Sequence, residues 1–410
     1  MALPPSYSLD FQIPDYSAEP GLDEERLEYH EARWQEYDAR PTGVFIHKKN
    51  GIIVILNNQQ EKTTLPTFGR RSKVEGTLVI DTPESVSEVT LKLTGVIETV
   101  APTAGGAQVN VLDQAHTIFK SDDSGVSQSH CESSLQFSCS LPITFEHNRQ
   151  EYLLPPSYHT LLGGQGQTHY AKCTYTFTAI ITRTRSRRTA FLGKNKKNNT
   201  FVFEYLPRLR PPRPTINRSL LTTIKTHPQE WRQFSYQLTP KSRKHLEPLT
   251  CQFFIPSVGV FGVMDSIPFH VQIAGSHLSL SKLQPASSDK PPIRVSLIRQ
   301  VVISNNGQKS AVHLHLGDAK ICPLPSVEGP ISLAGPSTIS SQRQETNLNW
   351  EGEICCELEE KLTPGFNAGV VTIADFVIME LSKWQTKLFE PFKHGHPVRL
   401  VSDSWTDFSR

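Results

Sequence analysis

Few residues in this chain have types and spacings that could do chemistry. His313 and His315 stand two apart in AVHLHLGD (311–318), so a strand would place both on one face, a common way to chelate a metal. His394-Gly395-His396 repeats the spacing near the C-terminus without an obvious third ligand. The seven cysteines (131, 139, 173, 251, 322, 355, 356) are odd in number and scattered, with no CxxC, and read as reduced thiols. No GxSxG, phosphate-cradling glycine loop or cysteine with a matching histidine is present, so catalysis has no residue to rest on and the chain reads as a non-enzyme without cofactor or metal. Binding chemistry is better represented. Pro4, Pro5 and Tyr7 form a PPxY peptide: the prolines preset a polyproline II backbone and the tyrosine supplies an anchor for an aromatic groove such as a WW domain. The alternative is a chance match in a terminal segment.

The same four letters recur at Pro155-Pro156-Ser157-Tyr158, directly before a strand-like run, where a turn with a packed tyrosine is the simpler reading. A basic stretch, RTRSRRTAFLGKNKK (183–197), contributes Arg183, Arg185, Arg187, Arg188, Lys194, Lys196 and Lys197. It suits an anionic lipid surface or a phosphorylated tail, and it equally suits a solvated hairpin tip. Lys48 and Lys49 stand at an early hairpin as weaker phosphate-contact candidates. Arg210-Pro211-Pro212-Arg213-Pro214 could be an SH3-type peptide, but a rigid exit from a domain explains it more simply.

The elements that must position these residues are strands. Ala171, Cys173, Tyr175, Phe177, Ala179 and Ile181 alternate with mostly threonine, as a half-buried antiparallel strand requires. Val89, Leu91 and Leu93, then Leu135, Phe137 and Cys139, then Phe201, Phe203 and Tyr205 repeat the pattern. Asn50-Gly51 between two apolar runs predicts a type I′ hairpin. Helical periodicity is confined to 22–40. The expected organisation is an acidic, partly helical extension (1–40), a β-sandwich (41–215), a basic, proline-bearing linker (216–247), a second sandwich (248–390) and a tail (391–410).

Composition sets the outer bounds. The chain has 410 residues, 30 of them proline, with 37% apolar and 20% charged, and a net charge of +2. That total argues against nucleic acid as partner, yet it conceals asymmetry. Over 15–38 nine acidic residues face two basic ones, a net −7, whereas 183–218 holds eleven basic residues against Glu204, a net +10. The acidic segment is expected to lie on the basic one and mask it. The most apolar stretch, 369–381, is interrupted by Asp375 and Glu380, so no membrane span is expected. The N-terminus lacks the pattern of a secretory signal, which points to a cytoplasmic protein.

Several of these runs resemble the arrestin-like family, and in particular its fungal α-arrestin branch. FGRRSKVEGTLVI (68–80) and LTGVIETV (93–100) are similar to early strands of the N-terminal domain, and LPPSYHTLLGGQGQTHYAKCTYTFTAIITR (154–183) is the most specific match. FFIPSVGVFGVMDSIPFHVQI (253–273) and NWEGEICCELEEKLTPGFNAGVVTIADFVIMEL (349–381) resemble the C-terminal domain, so the likeness covers roughly 42–390. It implies an all-β fold of two tandem immunoglobulin-like sandwiches with a short helical N-terminal extension. It also implies a trafficking adaptor that links membrane-protein cargo to a WW-domain HECT ubiquitin ligase, for ubiquitination and endocytosis at the plasma membrane or endosomes. The chain departs from the branch in carrying its PPxY at the N-terminus rather than in a long C-terminal tail. Two alternatives remain open. One is a sorting scaffold of the same fold without ligase recruitment, as in the arrestin-like subunit of retromer. The other is a cupin-like metalloenzyme, because Gly307 lies six before His313, although Ala319 and Lys320 stand where that pattern needs a glutamate.

Overall fold

The computed structural model describes residues 41–121, 130–164, 167–183, 195–216, 219–242, 246–284, 291–324, 346–357 and 362–405. Strands dominate. The first half contains β1 (Gly43–Lys49), β2 (Ile52–Gln59), β3 (Thr67–Phe68), β4 (Lys73–Ile80), β5 (Val86–Ala101) and β6 (Gly105–Lys120). β7 (Ser134–Ser140), β8 (Thr144–His147), β9 (Gln150–Leu153), β10 (Tyr158–Gly164), β11 (Gln167–Arg183) and β12 (Asn195–Tyr205) follow. One sheet runs β1-β2-β4-β7; the other runs β3-β12-β11-β5-β6, with β10 also paired to β11.

The alternation along β11 does what it predicts. Tyr175, Phe177, Ala179 and Ile181 are fully buried and the intervening threonines are half-exposed. Each large side chain so buried contributes roughly 1.5–3 kcal/mol. Phe177 meets Phe137 of the facing sheet at 5.7 Å and stacks on Phe201 at 5.0 Å, so the two sheets close on one another as a sandwich. Asn50 and Gly51 have φ of 56° and 76°, the left-handed pair a type I′ turn demands.

The second half holds β13 (Trp231–Leu238), β14 (Leu249–Pro256), β15 (Val260–Gly262), β16 (Ile267–Gly275), β17 (Ile293–Asn305) and β18 (Gln308–Asp318). β19 (Lys320–Leu324), β20 (Thr346–Ile354), β21 (Val371–Leu381) and β22 (Lys393–Val401) complete it. They form β13-β14-β16-β20-β19 and β15-β22-β21-β17-β18, whose inner faces share a second apolar core. Among the described residues no strand pairing crosses between the halves.

Two boundaries move. The expected linker 216–247 contains β13, which pairs with β14 along its whole length. Its Phe234, Tyr236 and Leu238 alternate, a signal hidden by the basic, proline-bearing composition around them. The expected tail 391–410 contains β22, and Phe392, Val398, Leu400 and Val401 are buried. The acidic extension 1–40, with its expected helix and its masking role, lies outside the described residues.

The halves are joined by packing rather than by a shared sheet. Val301, Ile303, Ala368, Val370, Val371 and Ile373 belong to the apolar cluster of the first half. Tyr158 meets Phe366 edge-on at 5.6 Å, and Asn305 Nδ2 donates to the carbonyls of Ala104 and Gly106 at 3.0 Å each. A join this apolar holds its parts more firmly than a polar interdomain contact would.

Candidate functional site

The β1–β2 hairpin and the start of β12 meet at one end of the first sandwich, and a buried amide fixes them there. Asn199 of β12 has no exposed surface. Its Oδ1 accepts from His47 Nδ1 at 2.6 Å, and its Nδ2 donates to the carbonyls of His47 and Ile52 at 3.1 and 3.0 Å. At the turn itself Asn50 Nδ2 donates to the Asn198 carbonyl at 2.8 Å. These four bonds bring Lys48 and Lys49 to the same end as Lys196 and Lys197. All four lysines are exposed, and among the described residues none is in an ion pair. The sequence treated the two pairs as separate candidates; the fold joins them through Asn199, a residue whose type and position gave no warning.

Other members of the basic stretch behave differently. Arg183 turns inward: its Nη1 donates to Thr82 Oγ1 and, at 3.1 Å, to Ser85 Oγ, so it braces the 82–85 loop and is not a free surface cation. Arg185, Arg187, Arg188 and Lys194 lie outside the described residues, as do Pro4, Pro5 and Tyr7. Further along, Arg208 forks onto Asp403, with Nη2 to Oδ1 at 2.9 Å, and Arg213 pairs with Glu230 while donating to Ser257 Oγ at 2.7 Å. Two charges of the +10 segment are therefore neutralised by the second half. Arg213 also belonged to the SH3-type reading, and this pairing ties one of that peptide's two arginines to the second half.

The second PPSY is built into the fold. Pro155 and Pro156 are buried, and the Pro155 carbonyl accepts from the Tyr175 hydroxyl at 2.5 Å. Ser157 exchanges bonds with the Tyr205 backbone, at 2.8 Å from its N–H and 2.9 Å to its Oγ. Tyr158 lies between the sandwiches near Arg299 and Asp375, and burial pushes its phenol up from the ordinary value. A WW groove cannot reach this peptide without unfolding its surroundings.

The histidine pairs have structural surroundings. His313 Nε2 lies 3.2 Å from Gln300 Nε2 of the adjacent strand, and His315 Nε2 lies 3.2 Å from Asp318 Oδ1. Asn306 and Gly307 have φ of 49° and 78°, so the glycine that suggested a cupin spacing makes a type I′ hairpin between β17 and β18. His394 and His396 stack among Phe234, Tyr236, Phe253 and Phe392, with Tyr236 and His394 centroids 4.0 Å apart. Among the described residues no group of three or more His, Cys, Asp or Glu is arranged to hold a metal ion.

Two features of the second half were not foreseen. Asp375, read only as a break in an apolar stretch, is fully buried and accepts from Arg299 Nε at 2.7 Å and Nη2 at 3.0 Å. Arg299 Nη1 also donates to the Thr363 carbonyl at 2.7 Å. Burial holds His270 and His396 down to about 4. No helix among the described residues is long and apolar enough to cross a membrane. No family model matches the chain, and no curated protein sequence matches it.

Proposed function

We propose that this chain is an arrestin-like adaptor, two immunoglobulin-like sandwiches in tandem that link membrane-protein cargo to a WW-domain HECT ubiquitin ligase on the cytoplasmic side of a membrane. The observation that carries the reading is the contrast between the two PPSY peptides. The copy at 155–158 is locked by the Tyr175 and Ser157 bonds and is out of reach of a partner. Recruitment therefore rests on Pro4, Pro5 and Tyr7. The lysine end of the first sandwich supplies an anion-facing surface, and the shared apolar junction keeps that surface in a set relation to the second sandwich.

Recovery of the full chain on immobilised WW domains tests this. Tyr7→Ala should abolish recovery and Tyr158→Phe should leave it unchanged. Equal recovery of Tyr7→Ala and wild type removes the ligase half and leaves a sorting scaffold that holds its partners by sandwich surfaces alone.

A further inference from the structure

The lysine end of the first sandwich also carries bare aliphatic surface, and both lie on one strand. Val44, Ile46 and Lys48 alternate along β1 and share its outer face, with Val44 51% and Ile46 60% exposed. The row continues inward across the sheet. Ile55 is registered opposite Ile46 and Ile53 opposite Lys48, and Val79 of β4 sits opposite Ile53. Each of these three is half-buried. β1 is an edge strand, so no neighbouring strand among the described residues flanks the row on its far side. At the end of the row stand Lys49 and, across the Asn50–Asn198 bond, Lys196 and Lys197.

We propose that this end docks on an anionic lipid bilayer. Val44 and Ile46 enter the boundary between headgroups and acyl chains, and Lys48, Lys49, Lys196 and Lys197 contact the anionic headgroups. Charge complementarity alone would also fit a phosphorylated peptide. Such a peptide would use the lysines and leave the two exposed aliphatic residues without a role, whereas a bilayer engages both. Lysines on an edge strand also discourage strand pairing, but any charge does that, and that role carries no preference for lipid. The inference rests on reading the chain as a membrane-side adaptor, yet it needs no ligase, so it stands or falls separately from the WW-domain test.

Co-sedimentation of the full chain with vesicles tests it, using phosphatidylcholine alone and phosphatidylcholine mixed with phosphatidylserine. Binding should appear only with phosphatidylserine and weaken as salt is raised. Lys48→Glu with Lys49→Glu keeps the edge charged and should reduce binding by at least about 25-fold, from roughly fivefold for each basic residue lost at an anionic surface, with repulsion of the new carboxylates adding to it. Val44→Ser with Ile46→Ser should reduce it by about tenfold on the same vesicles with the lysines intact. An unchanged thermal midpoint in each variant separates lost binding from lost folding. Equal sedimentation with both vesicle types, or full binding by either variant pair, overturns the proposal. So does a phosphopeptide that binds through Lys48 and Lys49 when vesicles leave the chain in solution.

Discussion

The two sandwiches bury polar groups on different terms. In the first, the deepest amide is Asn199, and both ends of its side chain are bonded. In the second, an ion pair and two histidines are taken out of water: Arg299 and Asp375 are 2% and 0% exposed, and His270 and His396 are 0% and 1% exposed. Among the described residues His270 Nδ1 and His396 Nε2 have no hydrogen-bond partner. The first sandwich thus uses its deepest amide as a staple and bonds its buried His169 through Nε2 to Ser310 at 2.8 Å. The second carries a buried ion pair and two buried histidines whose cost depends on their charge. The second should therefore respond to protons as well as to lost partners, whereas the first should respond to lost packing and to loss of its staple.

The largest effect expected from this contrast is at the ion pair. Arg299→Met leaves Asp375 charged and buried alone and should cost about 3–5 kcal/mol. Arg299→Met combined with Asp375→Leu removes both charges and should recover most of that loss. Urea denaturation followed by tryptophan fluorescence measures both, since buried Trp231 and Trp350 lie in the second sandwich and the described part of the first has no tryptophan. A double variant as unstable as the single one would mean that the pair organises the junction beneath Tyr158 beyond neutralising itself.

Protons should come next. Burial is the main cause that lowers His270 and His396 to about 4 from an ordinary 6.5, reinforced at His396 by the neighbouring His394 and opposed at His270 by its bond to Asn349. Above about pH 4 burial keeps both rings neutral in the folded chain, so between those values the unfolded chain binds more protons. The stability they contribute is complete above pH 6.5 and is lost as pH falls from about 6.5 to about 4, by roughly 3 kcal/mol for each ring. Denaturation midpoints across that range should fall steeply, and His396→Phe, a ring among rings, should flatten the slope by about half. An unchanged slope in that variant would put the acid sensitivity elsewhere and weaken the contrast between the sandwiches.

How much of this could be read from the sequence follows from which physics is local. The β11 alternation and the Asn50-Gly51 turn are decided by side-chain period and backbone preference within a few residues, so both were legible. Asn306-Gly307 carried the same turn signal, but it was absorbed into a metal-site spacing. β13 was equally periodic, and its surroundings disguised it. The pairing of Asp375 with Arg299 joins residues 76 apart in sequence, and the Asn199 staple spans 152. Neither could be read from letters, because burial and strand register create both. The four lysines were visible individually; that they share one end of a sandwich is a property of the fold.

The staple gives the smallest expected change in stability and the most informative one for the site. Asn199→Ala leaves the His47 and Ile52 carbonyls without their side-chain donor and should cost about 2 kcal/mol. Asn199→Asp keeps an acceptor for His47 Nδ1 but loses both donations, so it should cost at least as much as alanine. The damage should stay local. Hydrogen exchange should quicken at the amides of β1 and β2 and at the start of β12, while β17 and β21 stay protected. In that state Lys48 and Lys49 are no longer tied to Lys196 and Lys197, so vesicle binding should drop several-fold even though every lysine and aliphatic residue remains. Exchange that quickens equally across the second sandwich would show that the shared core around Val301 and Ile373 transmits the loss. The two sandwiches would then be one cooperative body rather than two with separate polar habits.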